Sequence, residues 1–225
     1  MTSFAHTKNG DSSENWQPLE VHLRETGNLA AEMFPFHPER EQQAYEICHF
    51  TSFNFSSLLK TAGLLHDLGK ADPEFQKYLS LSSQEQDVKA SCSINHSEAG
   101  AAWASENLDD LTGRTIAYVI AGHHAGLPDF NADGKASLCS RLKNGRKNLK
   151  KIQNEIPPYI QEISKEPLLL PQQLLTERNY HLWVRMLFSC LIDADRLNTE
   201  TFGDPQKAAL RPKFWFNRTI AERDV

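Results

Sequence analysis

In this 225-residue chain, the run Leu64-Leu65-His66-Asp67-Leu68-Gly69-Lys70 joins an imidazole and a carboxylate without a spacer, at the end of an apolar stretch. Such a pair presents one nitrogen and one or two oxygens to a metal ion, and the carboxylate can bridge two ions. Further candidate donors lie at His22, His96, His123, His124 and Asp195. If they converge on His66 and Asp67, the set suits a two-metal phosphoesterase. In such a site the ions stand roughly 3.5–4 Å apart and clamp the attacking and leaving oxygens of a phosphoryl displacement. Imidazole and carboxylate donors favour manganese, iron, nickel, cobalt or zinc. Magnesium stays open, but it prefers oxygen throughout.

The elements that must position these groups read as helices, so the expected fold class is all-α, a compact bundle with the metal site between helices. Pro18 opens a helix on which Leu19, His22, Leu23, Thr26, Ala30 and Met33 recur at helical spacing. A lone histidine on such a stripe is more often a hydrogen-bonded core residue than a ligand, so His22 gains weight only with partners. A second helix starts at His37-Pro38-Glu39, with proline and acids in its first turn. His37 and His49 read as surface or capping residues. A third helix, residues 56–68, turns Leu58, Leu59, Ala62, Leu65 and His66 inward and ends at Gly69. His66 and Asp67 are then expected in its last turn. Asp72-Pro73-Glu74 caps a short helix, and residues 80–93 read as a mobile loop.

Asn95-His96-Ser97-Glu98 starts another helix, with Asn95 as its cap. Residues 112–121 form the next, leading into Gly122-His123-His124-Ala125-Gly126, where glycines permit a tight path around two imidazoles. The segment 141–151 is the most basic. Its Arg146, Lys147 and Lys150 are candidate nucleic-acid contacts, weighed evenly against an ordinary solvated face. A final helix, about Asn179 to Leu197, places Val184, Phe188, Leu191 and Asp195 on one side. Asp193 competes with Asp195 but points to nearly the opposite face. Phe214, Trp215 and Phe216 suggest packing or partner docking near the C-terminus.

Composition narrows the classes. A net charge of −5 lacks the basic footprint of a passive DNA-binding module, whereas bound cations would supply positive charge locally in an enzyme. Cys48, Cys92, Cys139 and Cys190 are widely spaced, which suggests free thiols in a reducing cytoplasm rather than a zinc knuckle. No apolar run approaches a membrane span. The expected organisation is a flexible N-terminus (1–17), a catalytic domain (18–201) and a tail or linker (202–225).

Taken in order, HDxGK, Asn-His-Ser, Gly-His-His and Leu-Ile-Asp-Ala-Asp-Arg-Leu resemble the HD-domain metal-dependent phosphohydrolase superfamily. Within it, the chain resembles the HD nuclease domain of the CRISPR-associated type I helicase–nuclease. That resemblance implies His22, His66, Asp67 and Asp195 around one ion, with Asp67 bridging to a second held by His96, His123 and His124. It also implies Lys70 near the scissile phosphate, with Asp67 and Lys70 as catalytic residues. The implied activity is metal-dependent cleavage of single-stranded DNA, the displaced strand of an R-loop. The implied partners are a CRISPR helicase, on the same or a separate chain, and a Cascade-type effector complex. The sequence holds no helicase motif. Two other functions stay open: an HD-type nucleotide or cyclic-nucleotide phosphohydrolase, and a scaffold without activity.

Overall fold

The computed structural model describes residues 2–8, 12–33, 52–83, 95–131, 136–163, 168, 170 and 177–211. The expectations for His37, His49, residues 84–93, Cys48, Cys92 and Phe214 to Phe216 fall outside these residues.

Among the described residues the chain is helical, with one small antiparallel ladder in which β1 (Phe4–His6) pairs with β2 (Gln17–Pro18). Helix α1 (Leu19–Glu32) follows directly. Its buried residues Leu19, His22, Leu23, Thr26, Gly27 and Ala30 keep the expected stripe. Helix α2 (Ser52–Leu65) crosses it where Gly27 faces Gly63. Without side chains between them the two backbones approach closely, and this brings His22 beside His66.

The chain turns at His66 and Asp67, makes a short 3-10 helix at Leu68–Ala71, and enters α3 (Pro73–Ser82). Asp72 caps α3 by accepting from the Glu74 N–H at 2.8 Å. Helix α4 (Ser97–Asn107) is buried on nearly every side of its first two turns, as Ala99, Gly100, Ala101, Ala102 and Ala104 show. A helix apolar all round belongs in the middle of a bundle, and α4 packs against both α5 (Asp110–Gly122) and α6 (Leu138–Lys151). After α7 (Pro158–Ile163) comes the long α8 (Glu177–Gly203), then α9 (Pro205–Ala209). Phe55, Leu58, Leu59, Leu65, Ile116, Ile120, Leu187 and Leu191 form the centre of the core, each at most 2% exposed.

Several boundaries differ from expectation. The segment 1–17, expected to be flexible, contains β1 and a 3-10 turn at Ser13–Asn15. Helix α2 stops at Leu65, not at residue 68. Asp67 adopts φ −111° and ψ 18°, and the Gly69 N–H is taken by His96 O at 3.2 Å. Gly69 lies so close to His96 that a Cβ would overlap its carbonyl oxygen. Its role is therefore close docking as much as helix termination. Residues 80–82 continue α3 instead of starting a loop. Asn95 does not cap the backbone of α4. Its side chain donates to Glu98 Oε1 at 2.9 Å and accepts from Ser97 Oγ at 2.7 Å. Helix α8 runs six residues beyond Leu197, past the expected start of a tail at 202.

Candidate metal centre

Two histidines are positioned by the same local device. His66 follows the last residue of α2, and His123 follows the last residue of α5. Each donates Nδ1–H to the carbonyl three residues earlier, Gly63 O and Ile120 O, at 2.7 Å in both cases. The last carbonyls of a helix lack intrahelical partners. Each imidazole donates to a carbonyl in the last turn and thereby fixes its own tautomer. Nε2 is left with a free lone pair, as a metal-binding imidazole requires. The C-terminal ends of α2 and α5 also carry negative partial charge, which favours a cation there.

His22 is fixed differently. Its Nδ1 donates to Asn198 Oδ1 at 2.8 Å. Asn198 also accepts from Gln17 Nε2 at 2.9 Å and donates to Glu25 Oε2 at 2.7 Å. The three contacts orient the amide and so orient the ring. Gln17, Glu25 and Asn198 were not singled out from the sequence. Asn198 follows Asp195 by three positions, and Glu25 follows His22 by three, so helical spacing placed each on the correct face.

Two groups of donors result. His22, His66, Asp67 and Asp195 form one, and Asp67, His96, His123 and His124 the other; within each group the donor atoms lie within 4.8 Å of one another. Asp67 belongs to both. Its Oδ2 lies 3.2 Å from His22 Nε2 and 3.5 Å from His66 Nε2. Its Oδ1 lies 3.4 Å from both His96 Nε2 and His123 Nε2. Asp195 Oδ1 stands 3.5 Å from the Nε2 atoms of His22 and His66. Asp193 is exposed, so the tertiary fold brings Asp195 to the cluster and leaves Asp193 outside.

The donor chemistry fits divalent cations. Donors about 2.1 Å from a shared ion stand roughly 3.0 Å apart at right angles and roughly 3.4 Å apart at the tetrahedral angle. The separations above match this range. Asp67 Oδ1 and His123 Nε2 are both buried without a hydrogen-bond partner. With Nδ1–H already donating, His123 Nε2 is an acceptor facing an acceptor. Burying such a pair is costly unless a cation or proton lies between them. His22 Nε2 and His66 Nε2, at 3.2 Å, pose the same problem, while His96 Nε2 and His124 Nε2 face each other at 2.6 Å.

The electrostatics agree. Burial by itself would raise the Asp67 carboxyl, but Lys70, His66 and His96 hold it well below the ordinary carboxylate range. Asp195 is likewise lowered, its burial outweighed by the His66 hydrogen bond and charge. Burial would lower His66, yet Asp67 and Asp195 raise it. Burial lowers His96, and burial with the neighbouring His123 takes His124 down to about 4. The site keeps its carboxylates ionised and draws positive charge between them.

Lys70 Nζ contacts Asp67 Oδ2 at 2.7 Å, and the side chain is almost wholly buried. It is therefore not the surface lysine that its residue type would suggest. Arg146, Lys147 and Lys150 lie elsewhere. All three are exposed on α6, away from its packed Leu142 and Leu149, and Arg146 pairs with Glu106 at 2.9 Å. No hydrogen bond or ion pair among the described residues joins them to the cluster. Arg141, in the same basic segment, is structural: its guanidinium donates to Ala121 O beside the His123 turn and to Ala136 O. The turn itself needs Gly126 at φ 89°, a conformation that a side chain disfavours. Among the described cysteines, Cys139 and Cys190 are free thiols. No described helix is long and apolar enough to cross a membrane.

Comparison with known proteins adds one family. The model of the HD domain of Cas3 matches residues 5–198. The matched stretch begins inside β1, ahead of the start expected at residue 18. No curated protein matches the chain.

Proposed function

The chain belongs to the Cas3 HD-domain family, CRISPR-associated nucleases of the metal-dependent hydrolase kind, and from that premise we propose that it is an endonuclease for single-stranded DNA. The substrate is then the strand displaced when a type I effector complex opens a duplex. The partners are that Cascade-type complex and a CRISPR helicase, on the same chain or another, and the working compartment is the cytoplasm.

The observation that carries this reading is the division of Asp67, with one oxygen facing each donor group. His22, His66, Asp67 and Asp195 would hold one divalent ion, and Asp67, His96, His123 and His124 a second. When bound, such ions lower the pKa of water and neutralise the oxygens of a phosphodiester undergoing displacement. The protein's own part is to keep the carboxylates ionised and the imidazoles aimed. Gly63 O, Ile120 O and Asn198 hold Nδ1–H of His66, His123 and His22. Lys70 places an ammonium beside the shared carboxylate, where it can attract a phosphate and stabilise charge developing on it. His124 is the exposed donor, so substrate is expected to approach from that side. Nitrogen-rich donor sets favour a transition metal over magnesium.

The test is turnover by the manganese-loaded protein on single-stranded DNA, duplex DNA, nucleotides and cyclic nucleotides, compared side by side. Cleavage inside single-stranded DNA is the expected outcome. Nucleotide hydrolysis without any cut in DNA would replace the nuclease reading with the phosphohydrolase one. Failure to bind metal at all would favour a scaffold.

A further inference from the structure

Strand β1 carries a histidine that the chemistry above does not use. His6 Nε2 lies 3.4 Å from Lys70 Nζ and 3.3 Å from Thr199 Oγ1. Its ring packs edge-on against His22, with centroids 4.9 Å apart and planes at 82°. Thr199 Oγ1 in turn lies 3.5 Å from Asp195 Oδ1. A continuous polar path therefore runs from Asp67 through Lys70, His6 and Thr199 to Asp195, joining the two carboxylates of the first donor group.

The backbone keeps this path in register. Strand β1 is paired to β2 on one side. On the other, the Gln76 side chain accepts from Phe4 N–H and donates to Phe4 O, both at 2.9 Å. The same Gln76 nitrogen donates to Lys70 O at 2.6 Å. One amide thus ties the strand that bears His6 to the residue His6 contacts.

An ammonium has three N–H donors in fixed tetrahedral relation. A single acceptor leaves the ammonium free to pivot about the N–H···O axis as the flexible stem readjusts. Two acceptors in different directions, Asp67 Oδ2 and, in the Nδ1–H tautomer, His6 Nε2, remove that freedom. The third N–H then has one direction, and no acceptor among the described residues takes it. It is the donor left for a substrate oxygen.

We propose that His6 is a positioning residue that aims Lys70 at the scissile phosphate, which makes β1 part of the active centre. The role of Lys70 toward substrate rests on the nuclease reading; the orientation of Lys70 by His6 does not. His6 touches neither substrate nor the reacting atoms and acts only through Lys70.

The experiment uses the full chain loaded with manganese and compares His6→Ala, His6→Gln, Lys70→Ala and the His6→Ala/Lys70→Ala double variant. Three quantities are read: kinetics on a single-stranded oligonucleotide, metal content by elemental analysis, and acetylation of Lys70 by acetic anhydride followed by mass spectrometry. Circular dichroism confirms the helices in each variant. His6→Ala should lower kcat about tenfold with little change in KM, because orientation rather than binding is lost. It should keep wild-type metal content and raise Lys70 acetylation several-fold. His6→Gln, whose amide oxygen can replace Nε2 as acceptor, should restore most of both. In the Lys70→Ala background, His6→Ala should cost nothing further. An equal loss in that background, unchanged Lys70 acetylation, or metal loss in His6→Ala would each overturn the proposal. If the wild type fails to cut DNA, the nuclease reading falls, while the acetylation series still decides whether His6 orients Lys70.

Discussion

The two halves of the donor cluster are built to different standards. In the half formed by His22, His66 and Asp195, both imidazoles are fully buried and Asp195 is 16% exposed. Both imidazoles have Nδ1 held by a protein oxygen, and Asn198 anchors one of them to two further side chains. In the half formed by His96, His123 and His124, only His123 has that support among the described residues. His96 Nδ1 is buried without a partner, and His124 is exposed on a turn. Outer hydrogen bonds that fix a ligand raise metal affinity. The first half is thus suited to retain an ion, and the second to exchange one and to meet substrate. Asp67 couples the halves because each of its oxygens serves one of them.

The most severe way to break this contrast is to remove what the halves share. Asp67→Ala should abolish cleavage, by about a thousandfold or more, and reduce metal content in both halves. The helical circular dichroism signal should persist, because the bundle core does not depend on Asp67. Retention of two ions and of activity would show that the carboxylate is not a bridge.

Next come variants confined to one half. His22→Ala should remove the tightly held ion, whereas His124→Ala should remove the easily exchanged one. A chelator titration followed by elemental analysis reads this directly. The wild type should release metal in two phases, with the fast phase missing in His124→Ala and the slow phase missing in His22→Ala. A single phase in the wild type would erase the distinction between the halves.

A smaller effect should follow from the outer contacts alone. Asn198→Ala leaves His22 Nδ1 and Gln17 without their acceptor. Metal affinity of the slow phase should fall roughly 10–100-fold, the usual cost of removing such a support. The fast phase should be unchanged. If both phases shift together, the effect is a general loss of packing.

The smallest effect concerns the scaffold of the open half. Asp109 caps α5, the helix that ends in His123, by accepting from Thr112 N–H at 3.1 Å. That hydrogen bonding holds its carboxyl below the ordinary range. A group whose folded pKa is depressed stabilises the native state above its unfolded pKa and loses that contribution as pH falls through the folded value. Asp109→Ala should therefore destabilise by about 1 kcal/mol near neutrality, or roughly 2–4 °C in Tm. The difference from wild type should shrink on acidification below the usual carboxylate range. A pH-independent difference would assign the effect to something other than the ionised cap.

Much of this was legible in the sequence, for identifiable reasons. A histidine directly before an aspartate at the end of an apolar run, followed by glycine, places both groups at the mouth of a buried helix. Glycines around His123 and His124 mark a turn after another helix. The donors therefore announced themselves by residue type and local spacing. His6 did not, because strand β1 has three residues and lies in a polar segment with no periodicity to reveal which way a side chain faces. Nor did the end of α2 at Leu65, since that boundary depends on Gly69 meeting the backbone of His96, 27 positions further along the chain.

What the amino-acid order determined alone is the inventory: which groups could bind a cation, and that helical segments would carry most of them. Helical periodicity is a local property, set by hydrogen bonds between residues four apart, so it survives in a linear reading. Only the folded chain decided which Asp67 oxygen faces which set of imidazoles, and that His6 reaches Lys70. Each of these depends on the angle at which one helix crosses another or on where a strand docks. Such relations arise from packing between segments far apart in sequence and leave no local trace.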